Sequence, residues 1–170
     1  GEAGGADAVT AMALVASVTS RLGIASGVLP FQTRTPVLLG QTAATLAHLA
    51  PGRIALGLGV SSETIVGQWH GLPFRRTLAQ LREAVSLIRA VLGGERVSFE
   101  GEFYRVRNFR LLVPSPPAPV RIYLAALGPR ALELAGEIAD GVLINGMAPE
   151  SVPVAIEHLG KGAERAHRTL

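Results

Sequence analysis

The chain has 170 residues, 48% of them hydrophobic, which is ample for a buried core. It has no cysteine, excluding a disulfide framework and a thiolate metal site. Its 16 basic and 13 acidic residues form no basic run, so nucleic-acid binding is not expected.

The chain opens "GEAGGAD" without Met, as a piece of a longer polypeptide would. Asp7 is a helix N-cap, and the helix is predicted to run to about Ser20 with Val9, Met12, Ala13 and Ala16 on one face. Its apolar run "AMALVASV" is too short to span a bilayer, and no signal-peptide layout precedes it, so a soluble, cytoplasmic protein is expected. "RLGIASGV" (21–28) reads as a buried strand that breaks at Ser26-Gly27-Val28 into a polar loop. Thr35-Pro36 starts the next helix, which carries Leu38, Leu39, Thr42, Leu46 and Leu49 and stops at Pro51-Gly52. "RIALGLG" (53–59) is apolar throughout, as a parallel strand covered on both faces would be.

A short helix is expected from Ser61 or Ser62. A long one follows from about Arg75 to Leu92, striped by Leu78, Leu81, Val85, Ile88 and Leu92. "RVSFEGEFYRV" (96–106) predicts a hairpin turning at Glu100-Gly101-Glu102, and the Pro-rich 113–120 segment an extended connector. Strand 121–127, a helix opened by Pro129, strand 141–145 and a last helix from about Pro149 complete the order. This is an α/β alternation with right-handed crossovers. Both a doubly wound sheet and a (β/α)8 barrel fit. A whole barrel takes about 250 residues, and four parallel strands are visible, so a barrel would be partial.

In either architecture the working face lies at the carboxyl ends of the strands. There the sequence places Ser26-Gly27-Val28, then Gly59-Val60-Ser61-Ser62, then Leu127-Gly128-Pro129, then Asn145-Gly146. These ends are small or neutral and two lead into helix N-termini, leaving room for a planar or phosphate-bearing ligand. Glycines after strands also simply make tight turns. "GLGVSS" lacks the third glycine of a dinucleotide fingerprint and has no acidic residue some 20 positions on. Glu63 is the one carboxylate in the first turn after these ends, either a general acid or a partner of the helix dipole. Arg53, Arg121 and Asp140 precede strands and belong to the opposite, stability-bearing end. The four histidines are not at ligand spacing, so no metal site is expected. His70 beside Trp69 is the one histidine in a loop after a strand.

Taken in order, "TSRLGIASGVLPFQTRTP", "LAPGRIALGLGVSS", "WHGLPFRR", "GERVSFEGEFYRV" and "IYLAALGPRALELAGEIADGVLING" resemble the luciferase-like monooxygenase superfamily. The likeness is greatest to its deazaflavin (coenzyme F-420) oxidoreductases of the methylenetetrahydromethanopterin reductase type. The resemblance implies a (β/α)8 barrel of which residues 1–170 supply the third to sixth strands, with a helix–hairpin insertion at about 70–115. It implies a bulge with a non-proline cis peptide at Gly27–Val28, backing the deazaflavin ring. Gly59, Val60, Ser61 and Ser62 would line the ring or ribityl chain. Leu127 and Gly128 would meet the phosphate tail, with Asn145 and Gly146 helping to hold it. The implied activity is hydride transfer between reduced coenzyme F-420 and a small organic substrate, in a homodimer. Two alternatives stand beside it: an FMN-dependent monooxygenase of the same fold, and an inactive half-barrel whose open edges seek a partner.

Overall fold

The computed structural model describes residues 4–169. Helix α1 (Ala8–Val18) starts on Asp7, whose Oδ2 accepts the Thr10 N–H at 2.7 Å. At its other end the Arg53 guanidinium donates to the carbonyls of Ala16, Thr19 and Leu22, partnering acceptors that a helix end leaves open.

The strand expected over 21–28 is instead two short strands, β1 (Ile24–Ala25) and β2 (Leu29–Pro30), both parallel to β3 (Ile54–Gly59). Ala25 pairs with Ala55 and Leu29 with Leu58, so the three residues Ser26–Val28 stand opposite two. The extra residue is a bulge, and it reverses the alternation of side chains. Leu29 therefore returns to the buried face that Ile24 occupies.

Helix α2 (Pro36–Leu49) is capped by Thr35, whose Oγ1 accepts the Leu38 N–H at 3.2 Å. Its buried face is Leu39, Gly40, Ala43, Ala44, Leu46 and Ala47. Leu38 and Leu49 are 47% and 50% exposed. Close packing explains this: a Cβ on Gly40 would lie 2.5 Å from Cγ1 of Val91, on helix α3 (Thr77–Leu92). Backbones that near each other select small residues for the shared face.

After β3 the expected short helix is a π-helical turn, Thr64–Trp69, beginning later than Ser61 or Ser62. Helix α3 buries Leu81, Val85 and Ile88 as its stripe predicts. The hairpin, β4 (Val97–Glu100) and β5 (Arg105–Phe109), forms its own two-stranded sheet. Glu83 of α3 ties down its turn, accepting the N–H groups of Glu102, Phe103 and Tyr104 at 2.8, 2.9 and 3.3 Å. Strands β6 (Arg121–Ala125) and β7 (Gly141–Leu143) each stop two residues before the predicted end. Helices α4 (Pro129–Ile138) and α5 (Val152–Arg165) follow them.

The main sheet runs β1-β3-β6-β7, with β2 also on β3, and every pairing is parallel. Ile24, Ile54, Leu56, Leu58, Ile122 and Leu124 form one face and are buried with the helices in a single core. The opposite face carries Ala25, Ala55, Tyr123, Ala125 and Leu143, which are exposed or half-buried. β3, expected from its composition to be covered on both faces, is buried throughout except at Ala55, which is half-buried. Helices cover one side, and on the other the bulge lies over Gly57 and Gly59 together with Leu143 and Ala125. At the amino end, Asp140 accepts the Ile122 N–H at 2.8 Å and pairs with Arg89, a structural role as its position predicts.

Candidate functional site

The bulge is held by a side chain that imitates backbone. Ser26 is the buried polar residue of the core; its hydroxyl donates to the Gly57 carbonyl at 2.8 Å and accepts the Gly57 N–H at 2.9 Å. Where β1 leaves the ladder, Ser26 thus supplies both bonds that β3 would lose. Gly57 must be glycine, because a Cβ there would collide with the Ser26 carbonyl oxygen. At Gly59 a Cβ would lie 2.7 Å from Cγ2 of Val28. The two glycines, two apart on one strand face, make the recess in which the bulge sits. The Gly27–Val28 peptide is cis, as the resemblance implies. Gly27 is exposed with open space beyond its Cα, while Val28 is half-buried.

Gln32, in the 3-10 turn after β2, donates from Nε2 to the Val60 carbonyl at 3.0 Å and locks the loop after β3 to that after β2. Ser61 is exposed and takes a left-handed φ of 58°. Ser62 starts the π-helical turn, its Oγ accepting the Ile65 N–H at 3.4 Å. Glu63 is exposed and its carboxylate accepts from Gln68 Nε2 at 3.3 Å. His70 and Trp69 are both exposed.

At the ends of β6 and β7 a cavity of about 460 Å³ opens, lined by Leu127, Pro129, Gly146, Met147, Ser151 and His158 among others. It holds no carboxylate and is mostly apolar. Leu127 and Gly146 come together here. Gly128, the α4 N-cap, adjoins it, and α4 has no side-chain cap. Asn145 is exposed and outside the lining. His158 is half-buried in the cavity wall, with Nδ1 3.0 Å from Glu133. Hydrogen bonds from Arg165 and then His158 hold the Glu133 carboxyl below its ordinary pKa. Sequence reasoning placed Ser26 at a strand end without seeing its clasp on Gly57, and it gave no role to Gln32 or His158. The Gly57/Gly59 spacing and the Val154, Ala155, His158 helical face were the available signals. Among the described residues no cluster of His, Asp and Glu could hold a metal, and no helix is long and apolar enough to cross a membrane.

The family model for luciferase-like monooxygenases matches residues 1–170. The chain belongs to the luciferase-like monooxygenase family. Among curated members it is 30% identical over 162 residues to a 5,10-methylenetetrahydromethanopterin reductase of Methanolobus tindarius, covering 95% of this chain and 49% of that one. It is 37% identical over 161 residues to an F-420-dependent glucose-6-phosphate dehydrogenase of Beutenbergia cavernae, covering 91% and 47%. Among solved structures it resembles the coenzyme F-420-dependent tetrahydromethanopterin reductase of Methanopyrus kandleri, with TM-score 0.88 and 27% identity over 98% of this chain and 52% of that chain. The chain spans about half the length of these family members, and its parallel sheet is that part of their α/β barrel.

Proposed function

We propose that this chain carries the ring platform and tail pocket of an oxidoreductase that uses coenzyme F-420. Support comes from its family members named for that coenzyme, and from one structural observation. An open bulge and a carboxylate-free cavity lie at the carboxyl ends of one sheet, where α/β folds place ligands. The residues fit such a group. Gly27 and Gly128 have open space where a Cβ would stand, and α4 presents an uncapped N-terminus suited to an anion.

When bound in its reduced form, the deazaflavin supplies a hydride to a small organic substrate. The Ser26–Gly57 bonds hold the bulge, and Gly27 with Val28 backs the ring. Gly59, Val60, Ser61 and Ser62 border the ring or ribityl chain. Leu127 and Gly128 receive the phosphate-bearing tail, with Asn145 and Gly146 at its rim. Glu63, exposed at the same end, is the candidate proton donor to substrate.

The test is a fluorescence titration of the purified chain with coenzyme F-420 and, separately, FMN. Saturable deazaflavin binding, weakened at least about tenfold (1.4 kcal/mol) in Gly128→Asp, supports the reading. Tighter binding of FMN would replace it with the monooxygenase alternative, and no binding of either would refute it.

A further inference from the structure

We infer that His158 is the anion anchor of the cavity at the ends of β6 and β7: Glu133 aims its ring so that Nε2 meets an oxyanion, here the phosphate of the coenzyme's tail. The inference rests on the reading of this cavity as the tail pocket. Of the residues lining the cavity, only His158 and Ser151 have polar side chains, and His158 alone can carry charge. Glu133 is not among them; it lies with Arg82, Glu137 and Arg165 along the neighbouring groove. The imidazole therefore stands between the two, with Nδ1 on the Glu133 side at 3.0 Å. A carboxylate can only accept, so Nδ1 carries the proton of that bond, which leaves Nε2, on the far edge of the ring, for the cavity. Nothing among the described residues bonds Nε2.

Backbone packing holds the ring in place. A Cβ on Gly136 of α4 would collide with the Leu159 carbonyl oxygen, and one on Gly162 of α5 with that of Glu133. These glycines lie about one turn from Glu133 and His158, so the two helices fix the pair at contact distance. Charge then selects the occupant. From α4 His158 faces Glu133, and Arg165 on its own helix bonds both Glu133 and Glu137. Its neighbour Glu157 is paired with Lys161 at 2.6 Å, and Arg82 of α3 bonds Glu137. These three cations and three carboxylates balance, so a proton on the ring is the unbalanced charge, and no carboxylate lines the cavity to meet it. An oxyanion does. The imidazolium then donates from Nδ1 to Glu133 and from Nε2 to the ligand, the one charged bond in an otherwise apolar pocket. Binding therefore brings a proton to the ring, and affinity should rise as pH falls.

Long-range proton–nitrogen NMR of the whole chain tests this, with His158 assigned against His158→Gln. Inorganic phosphate and coenzyme F-420 are titrated separately in a buffer without phosphate. In the parent chain each should move the His158 Nε2 resonance saturably while Nδ1 keeps its proton, and His48, His70 and His167 should stay in place. Coenzyme F-420 should bind His158→Gln at least about tenfold more weakly. Its affinity for the parent should rise severalfold from about pH 8 to about pH 6, with no such rise in the variant. A phosphate effect without coenzyme binding would keep the anchor and remove the coenzyme reading. Coenzyme binding that leaves the His158 resonances and the His158→Gln affinity unchanged would overturn the inference and keep that reading. His158 resonances that respond to neither probe would overturn the inference as well, and they are read in the parent chain, whether or not a variant folds.

Discussion

Replacing Gly57 by Ala tests the recess beneath the bulge. The new Cβ would overlap the Ser26 carbonyl oxygen and stand 3.0 Å from the Ser26 carbonyl carbon and 3.2 Å from Leu143 Cδ1. The first two are backbone, with no flexible side chain to swing away, so the whole bulge must move. Overpacking of this kind costs about 1–3 kcal/mol. Moving Ser26 also weakens its two buried bonds to Gly57, each contributing about 0.5–1.5 kcal/mol. Together the loss is about 2–6 kcal/mol, a large part of the roughly 5–15 kcal/mol that stabilises an ordinary domain. Urea titration followed by far-UV circular dichroism, at one fixed chain concentration, measures it. Gly27→Ala, whose Cβ meets nothing within 4 Å, is the control and should stay within about 0.5 kcal/mol of the parent. A Gly57→Ala chain within about 1 kcal/mol of the parent would refute the claim that this glycine recess positions the bulge.

Ser26→Ala leaves the Gly57 N–H and carbonyl without the hydroxyl and should destabilise by about 1–3 kcal/mol in the same titration. Ser26→Thr, which keeps the hydroxyl, should recover part of that. Glu83→Ala removes the carboxylate from three hairpin amides. Hydrogen exchange at Glu102, Phe103 and Tyr104 should accelerate about tenfold or more, with α1 and α2 unchanged. The Glu133 carboxyl, held below its ordinary 4.5 by Arg165 and His158, stabilises the folded state fully above that value, and the contribution is lost as pH falls through the lower folded value. The melting-temperature difference between the parent and Glu133→Gln should therefore close in acid, and a constant difference would contradict the assignment.

The local elements were legible where a single stretch of chain decides them. The caps at Asp7 and Thr35, the apolar stripe of α3 and the placement of neutral residues after the strands each depend on neighbours within a few positions. The family, too, was legible in the order of its segments. The recess under the bulge was not, because Ser26 and Gly57 are 31 residues apart and meet only when β1 and β3 pair. Its trace was two glycines spaced by one residue, which reads equally well as turn chemistry. Leu38 and Leu49 stay exposed for a related reason. Periodicity locates a helical face, but the approach of α3 decides which residues can occupy it.

His158 entered the cavity wall through the packing of α5 on α4, where a Cβ on Gly162 would meet the Glu133 carbonyl carbon at 2.7 Å. By itself, then, the sequence determined the α/β order, the helix starts and the neutral strand ends, because each follows from local propensity and side-chain period. The tertiary structure alone decided the bulge and its Ser26 clasp, the glycine recess and the cavity beside α4. Those depend on distances between segments far apart in the chain, which close packing sets and no local pattern encodes.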